Sequence, residues 1–569
     1  MFRAVVATIA AFTLATVAPA VFAAEAPAHP LAPLAVVAPV ASCDSLARLD
    51  LASVTGAATT QSSREVSGAH PYCKVTGNIA RSIHFEVHLP MQGWTQRFLQ
   101  TGCGGLCGVL RIDAGMAEGC TPVTDGSIAL ASTDMGHQGF DMGGAWGANQ
   151  DQRIDFAYRG VHVTALAAKA LIRAYYGQVS RYSYFSGCSD GGREALIEAQ
   201  RYPQDFDGIA AGAPAINFTI QNSFHHGWVA KANTGADGRA LLTAADMKPL
   251  HNAVLKVCDG LDGLTDGQIT DPRRCRYDPA PLRCEAAYQQ GQCLTAEQIA
   301  AVRKIYAGAT GPDGEKLEVG PVLRGSELEW VGVFVPREPS SRIASEGMAL
   351  GTINHLLFTP NPNYTLSDFS FTSAQFKAQA DARKLYNADD PNLTPFAAHG
   401  GKLILWHGWS DPHISPLNSI DYYERVGKSL GASKRDSFVR MFLFPGMSHC
   451  SGGDGPNEFP LLASLMAWVE SGQAPQVMVA HRAGPDKAKA ALPPAAVLAS
   501  LPPETREMLA EMARKAAEEA ALAPRSRPVF AYPAVARYSG KGSQDDASSF
   551  VAGAGQARSG AAAWIGSQP

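Results

Sequence analysis

Charge is sparse in this 569-residue chain, and neither sign dominates: 48 Lys and Arg stand against 52 Asp and Glu, for a net charge of −4. So small an imbalance on so long a chain gives no basic field for nucleic acid and no acidic tail. Beyond the N-terminus no stretch is long and apolar enough to cross a bilayer, so no stable membrane span is expected. There is no internal repeat, and His225-His226 have no partners at metal-ligand spacing. What remains is a globular composition, 46% hydrophobic and 18% charged. The length allows one large domain with an insertion, or two to three ordinary domains.

The N-terminus reads as an export signal. Met1-Phe2-Arg3 carries one positive charge, Ala4 to Ala20 is apolar and uncharged, and Val21-Phe22-Ala23-Ala24 offers the small residues of a cleavage site. The run is short for a membrane span and contains Pro19. Residues 1–24 are therefore expected to be removed, leaving a secreted or periplasmic protein. Residues 25–42, rich in Ala and Pro, read as a flexible leader before a fold that begins at Cys43. Eleven cysteines suit an oxidising compartment. Cys258–Cys275 and Cys284–Cys293 are close enough to be local loop staples, and the odd total leaves at least one thiol unpaired or paired between chains.

Strand-like alternation over Ile83–Leu89 and Arg97–Gln100 ends at Pro90 and at the Gly102 to Gly105 cluster. Residues 128–131 follow as a short buried strand, 155–176 as a helix, 182–186 as a strand, 194–201 as a helix and 208–213 as another strand. This rhythm predicts an α/β fold with a parallel sheet and crossover helices. It stops after Pro214 and resumes at 402–407 and 438–444. The expectation is one catalytic domain, residues 43–215 and 390–569, interrupted by a lid domain over 216–389 that sits on the C-terminal edge of the sheet. The Ala-, Glu- and Lys-rich stretch from Leu492 to Ala523 reads as an exposed helix.

Gly187-Cys188-Ser189-Asp190-Gly191 is a G-x-S-x-G element between a strand and a helix, a turn that lifts a serine hydroxyl clear of the sheet. In hydrolases built this way the acid and then the histidine follow the nucleophile. Asp411 lies just past the strand ending at His407, and His449 just past the strand ending at Phe444. Ser189, Asp411 and His449 are the candidate nucleophile, acid and base. Cys188 precedes the serine and Cys450 follows the histidine, so a bridge between them would bring the two loops together. The oxyanion hole would use the backbone N–H of Asp190 and one from the Gly102-Cys103-Gly104-Gly105 loop, where either Gly104 or Gly105 can serve and Gly104 is the candidate. His407 lies close enough to Asp411 to line the site but precedes the acid, which makes it a poor base.

Asp259, Asp262 and Asp266 place three carboxylates in a Gly-rich loop, without EF-hand spacing. Hard oxygen ligands at this density suit Ca²⁺, with carbonyls of Leu264 and Gln268 completing the shell and Cys258–Cys275 closing the loop. The role would be structural, because the loop has no base or nucleophile of its own. A solvated acidic turn is the alternative. No organic cofactor is expected.

Gly187-Cys188-Ser189-Asp190-Gly191-Gly192-Arg193, Tyr202-Pro203, Phe206-Asp207-Gly208-Ile209, the Asp259 to Asp271 loop, His407-Gly408-Trp409-Ser410-Asp411, Pro445 to Cys450 and the late Tyr532-Pro533 together resemble the tannase/feruloyl esterase family. The similarity runs from about Cys43 to Phe550. It implies an α/β-hydrolase core with a large calcium-binding lid, and hydrolysis of esters of aromatic acids. It carries over the triad, the Cys188–Cys450 bridge and the five calcium ligands by motif. A Cys43–Cys73 pairing is expected at the start of the fold. The chain departs from the family where Cys103 and Cys107 interrupt the usual glycine run, bridged to each other or to Cys120. It also has Phe530 and Ala552 where a C-terminal disulfide is usual.

Feruloyl, hydroxycinnamoyl or galloyl esters are the expected substrates, with mono(2-hydroxyethyl) terephthalate as the alternative. The terephthalate carboxylate would want a cation, for which Arg342 is the candidate. His407, His413 and Ile414 are expected to border the acyl group. A hydrolase fold serving only as a binding module would be expected to have lost a triad member, and all three are present.

Overall fold

A computed structural model describes residues 31–115, 117, 119–139, 143–285, 289–482, 503–556 and 563–567; residues 1–24, expected to be an export signal, lie outside them. Nine strands form the central sheet: β1 (Thr59–Val66), β2 (Tyr72–Ile79), β3 (Ile83–Pro90), β4 (Arg97–Thr101), β5 (Ala129–Thr133), β6 (Tyr182–Cys188), β7 (Gly208–Gly212), β8 (Lys402–Gly408) and β9 (Val439–Phe444), in the order β1-β2-β3-β5-β4-β6-β7-β8-β9. The first three and the β3–β5 pair are antiparallel; every pair from β5–β4 to β8–β9 is parallel. This mixed sheet, with helices α1 (Gly160–Tyr176), α2 (Asp190–Arg201), α5 (Leu417–Leu430) and α6 (Leu461–Ser471) following its strands, is an α/β-hydrolase core.

Packing explains the residue choices at the sheet's centre. β7 is Gly-Ile-Ala-Ala-Gly and buried throughout. A Cβ on Gly212 would fall 2.1 Å from Trp406 Cζ2, and one on Gly208 would fall 2.8 Å from Tyr184 Cδ1. Two large rings on the flanking strands thus require the small residues between them.

Three helices differ from the periodicity. The segment expected as one helix from Asp155 opens with a wide π-turn over Asp155–Arg159 before α1. Helix α2 starts at Asp190, directly after the serine, and not at Glu194. The late helix is α7, Pro503–Ala520; residues 483–502 lie outside the described part. From Ala32 the segment read as a leader runs along the core, with Val37 N–H donating to Trp94 O and Val40 N–H to Tyr175 O.

Residues 216–389, between β7 and β8, have their own core around Leu250 and Val254 on helix α3 (Ala244–Cys258), Ile299, Val302 and Ile305 on helix α4 (Ala296–Ala307), and Trp330 and Phe334 beyond them. A reciprocal cap starts α4: Gln298 N–H donates to Thr295 Oγ1 at 3.1 Å, and Thr295 N–H to Gln298 Oε1 at 2.8 Å. The insertion meets the loops after β8 and β9. Gln221 Nε2 donates to His413 O at 3.1 Å, and Ser410 Oγ to Gly325 O at 3.3 Å. No helix among the described residues is long and apolar enough to cross a membrane.

His251, on α3, ties the two layers together: Nδ1 is 2.9 Å from Glu327 Oε2 in the insertion and Nε2 is 3.6 Å from Asp454 Oδ2 beyond β9. Burial alone would lower its pKa, but Asp454 and Glu327 outweigh this and raise it to about 10. The stabilisation is therefore complete below the unfolded value of 6.5 and is lost as pH rises through about 10. Replacing His251 by Asn should cost about 3 kcal/mol at neutral pH, because the buried Glu327 carboxylate loses its cation. It should also flatten the fall in Tm between neutral pH and about pH 10 relative to the parent. Parallel Tm–pH curves for parent and variant would contradict this assignment.

Candidate active site

The turn from β6 into α2 holds Ser189 at φ 65° and ψ −120°, a conformation costly for any residue with a side chain. Its glycines are required by close approach. A Cβ on Gly187 would meet Gly191 O at 2.4 Å, one on Gly192 would meet Gly212 O at 2.4 Å, and one on Gly191 would meet Gly102 C at 3.0 Å. The strained turn is pinned by Ser189 N–H donating to Gly212 O at 2.9 Å. The result is a serine held at the C-terminal edge of the sheet, at the start of a helix.

Asp411 is fully buried beyond β8 and accepts four hydrogen bonds. His449 Nδ1 and His407 Nε2 reach Oδ2 at 2.6 and 3.0 Å, while the N–H groups of His413 and Ile414 reach Oδ1 at 2.8 and 2.9 Å. Burial opposes its ionisation. The charge of His449 and the bonds from His407 and His449 outweigh burial and hold the carboxyl far below the usual range. With Nδ1–H committed to Asp411, His449 presents Nε2 as the free basic nitrogen. The Cys188–Cys450 disulfide sets the flanking Cα atoms 5.9 Å apart across 262 residues, joining the serine loop to the histidine loop.

His407 does not line a substrate space, contrary to expectation. It is fully buried, its Nε2 shared between Asp411 and Ile414 O and its Nδ1 accepting from Ser419 Oγ at 2.8 Å. It buttresses the acid from behind. Ile414, 1% exposed, packs into the main core, so its side chain is structural too. His413 does stand beside the base, with ring centroids 4.9 Å apart. Burial and the positive charge of His449 push its pKa down to about 3, so it is neutral. Arg342 is exposed on the insertion, three residues before Ser345.

Two residues passed over in the sequence join this cluster. His226 lies 5.5 Å, ring to ring, from His413 and bonds Ser345 Oγ through Nδ1 at 2.9 Å. Burial and the charge of His225 keep it neutral. His225 is held between Glu318 Oε2 at 2.8 Å and Pro412 O at 3.3 Å, and is raised in pKa against its burial by Glu318. Its imidazolium braces the backbone next to Asp411. Two adjacent histidines in an insertion carry no sequence signal for this; only the lid's position reveals it.

On the oxyanion side, Gly102 N–H is committed to Ser186 O at 3.0 Å and Cys103 N–H to Glu194 Oε1 at 3.3 Å. Gly104, exposed and with open space where its Cβ would be, is the next N–H along. Asp190 opens α2, so its own N–H is one of the unpaired first-turn donors. Its carboxylate is turned away, onto Arg193 at 2.6 and 3.0 Å.

Disulfides join Cys43–Cys73, Cys103–Cys107, Cys188–Cys450, Cys258–Cys275 and Cys284–Cys293. Cys103 thus pairs within its loop. Cys120 is buried and free, its thiol pushed up to about 12 by burial. In the acidic loop, Asp259 accepts the N–H groups of Asp266 and Gly267, Asp262 accepts Leu264 N–H and the Thr270 hydroxyl, and Asp266 pairs with Arg527. Burial and the like charges of Asp266 and Asp259 raise the Asp262 carboxyl. Gln268 Oε1 is a buried acceptor without a donor.

The model of the family described as tannase and feruloyl esterase matches residues 65–552. The chain belongs to that family. It is a carboxylic ester hydrolase. Within the tannase and feruloyl esterase family, feruloyl esterase B of Aspergillus niger is 32% identical over 435 residues, covering 72% of this chain and 79% of that protein. The mono(2-hydroxyethyl) terephthalate hydrolase of Piscinibacter sakaiensis is 29% identical over 548 residues, covering 85% of each. The crystal structure of feruloyl esterase B from Aspergillus oryzae matches with a TM-score of 0.71 at 27% identity, over 90% of this chain and all of that one.

If Cys188–Cys450 holds the two loops in register, replacing both cysteines by serine should cost about 5 kcal/mol, the size expected for so long a closed loop. The same change should lower kcat more than it raises KM. A variant that unfolds earlier yet keeps the parental kcat would leave the bridge with stability alone.

Proposed function

We propose that this chain hydrolyses esters of aromatic acids, of the feruloyl, hydroxycinnamoyl or galloyl kind, through an acyl-enzyme on Ser189. The observation that carries this is the 2.6 Å bond from His449 to a buried Asp411, on a loop bridged to the serine's own. Ser189 Oγ attacks the ester carbon while His449 Nε2 takes its proton. The negative charge on the former carbonyl oxygen is met by the N–H groups of Asp190 and Gly104. Collapse expels the alcohol, to which His449 returns the proton. A water, deprotonated by the same nitrogen, attacks the acyl-enzyme, and a second collapse frees the aromatic acid and restores the serine.

Next to His449 stands His413, with the buried His226 behind it, and both rings are neutral and polar. They suit a phenolic hydroxyl better than a carboxylate, which favours hydroxycinnamoyl and galloyl groups. Mono(2-hydroxyethyl) terephthalate, named for the Piscinibacter relative, is the second reading. It rests on the alignment over 85% of both chains. Arg342 is its available cation.

The acidic loop suits Ca²⁺ by its donor chemistry, with three carboxylates, burial and a mutual repulsion that raise Asp262, and the unpaired oxygen of Gln268. Asp259, Asp262, Asp266 and carbonyls of Leu264 and Gln268 would hold the ion, which would cross-link the lid and take no part in the chemistry. Arg527, already on Asp266, is the competing cation. Export with loss of residues 1–24 is the matching reading of location, supported by five disulfides.

Rates on methyl ferulate, methyl gallate, mono(2-hydroxyethyl) terephthalate, a long-chain ester and a peptide test the assignment. The phenolic esters should lead by about tenfold or more in kcat/KM, roughly what a fitted acyl pocket gives. Turnover led by the long-chain ester or the peptide would overturn it. Separately, a chelator should lower Tm, calcium should restore it, and Asp262→Ala should abolish that response. An unchanged Tm in the chelated parent would assign the loop to Arg527 instead.

A further inference from the structure

A buried acid that the proposed reaction does not use lies beneath the oxyanion loop. Glu194 stands on α2 and is 1% exposed. Its Oε1 accepts Cys103 N–H at 3.3 Å and lies 3.0 and 3.2 Å from the two sulfurs of the Cys103–Cys107 bridge. Its Oε2 is buried without a hydrogen-bond partner, and a Cβ on Gly102 would meet it at 2.8 Å. The acid and the loop are therefore in direct contact along Gly102, Cys103 and Cys107.

Among the described residues, Glu194 has no cation of its own. The one nearby guanidinium, Arg193, is fully buried and already matched to Asp190, with its remaining N–H groups on Ala157 O at 2.8 Å and Phe156 O at 3.0 Å. A second carboxylate charge here would sit in a dry space beside that of Asp190. Burial and the Asp190 charge accordingly push the Glu194 carboxyl well above its usual range. A neutral acid can accept the Cys103 N–H without repelling an anion that forms on the other side of the loop. A charged one would oppose that anion.

The loop needs such support. Gly105 and Cys107 both lie at positive φ, 66° and 62°, and the latter is costly for a residue with a side chain. Gly104, between the anchored Cys103 and Cys107, is held on both sides: Cys107 N–H donates back to Gly104 O at 3.1 Å, and the disulfide closes the enclosing span from Cys103 to Cys107.

We propose that Glu194 and the Cys103–Cys107 bridge form a clasp that sets the position of the Gly104 N–H. They act as positioning residues for the oxyanion of ester hydrolysis. The proposal rests on the reading that Ser189 is the nucleophile and that this loop stabilises the oxyanion.

The test uses the full chain and a phenolic ester, reading kcat and KM separately and adding the affinity of phenylboronic acid, which forms a tetrahedral adduct on a reactive serine. Glu194→Leu and the double variant C103S/C107S should each lower kcat by about 10²-fold with KM within about threefold, and weaken the boronic acid in parallel. Glu194→Gln, which keeps a neutral acceptor for Cys103 N–H, should restore kcat to within about fivefold of the parent. A merely structural role would lower Tm without separating kcat from KM. A Glu194→Leu enzyme within about tenfold of the parental kcat would overturn the clasp. Equal losses in the Gln and Leu variants would overturn the neutral acid. Should Glu194→Leu fail to fold, C103S/C107S decides by the same criterion. Continued turnover by Ser189→Ala would instead withdraw the underlying reaction, an outcome distinct from all of these.

Discussion

A single buried carboxylate organises this site. Asp411 is fully enclosed, where an isolated charge would be prohibitively costly, and it is ionised because two imidazoles and two backbone N–H groups donate to it. Each donor then has its own support. His407 is locked by Ser419 and Ile414, His449 is fastened to the serine loop by Cys188–Cys450, and Pro412 is braced by the His225–Glu318 pair. The charge fixes the tautomer of His449, and the tautomer decides which nitrogen is left for Ser189.

The insertion is more than a cover. Glu318 and Ser345, both within 216–389, hold His225 and His226 against the loop after β8. His251 faces Asp454 beyond β9 as an ion pair at 3.6 Å. Shifts of the insertion would therefore be felt at the loops after β8 and β9 through these contacts. The helix Pro503–Ala520 adds a further tie, with Glu519 accepting Gly453 N–H at 2.7 Å just past His449.

Much of this was legible in the residues, and the limits have physical causes. Strongly apolar or alternating segments such as 83–89, 182–186 and 402–407 announced their strands, since burial on one or both faces leaves a clear pattern. Strand β1, Thr-Thr-Gln-Ser-Ser-Arg-Glu-Val, was invisible because an edge strand half in water needs no apolar face. The serine turn was legible because its glycines answer contacts of 3.0 Å or less. The role of His407 was misjudged, because chain proximity to Asp411 says nothing about which side of the carboxylate a ring occupies. His225, His226 and Glu194 depend on partners 93, 119 and 91 residues away, and no local pattern encodes such meetings.

The most direct test of the account is the steady-state rate of Asp411→Asn on one phenolic ester, measured beside the parent. Asparagine keeps the size of the side chain but lets its amide face His449 Nδ1, which removes the charge and favours the wrong tautomer. The account predicts a fall in kcat of about 10⁴-fold with KM little changed and the five disulfides intact. A kcat within about tenfold of the parent would contradict it.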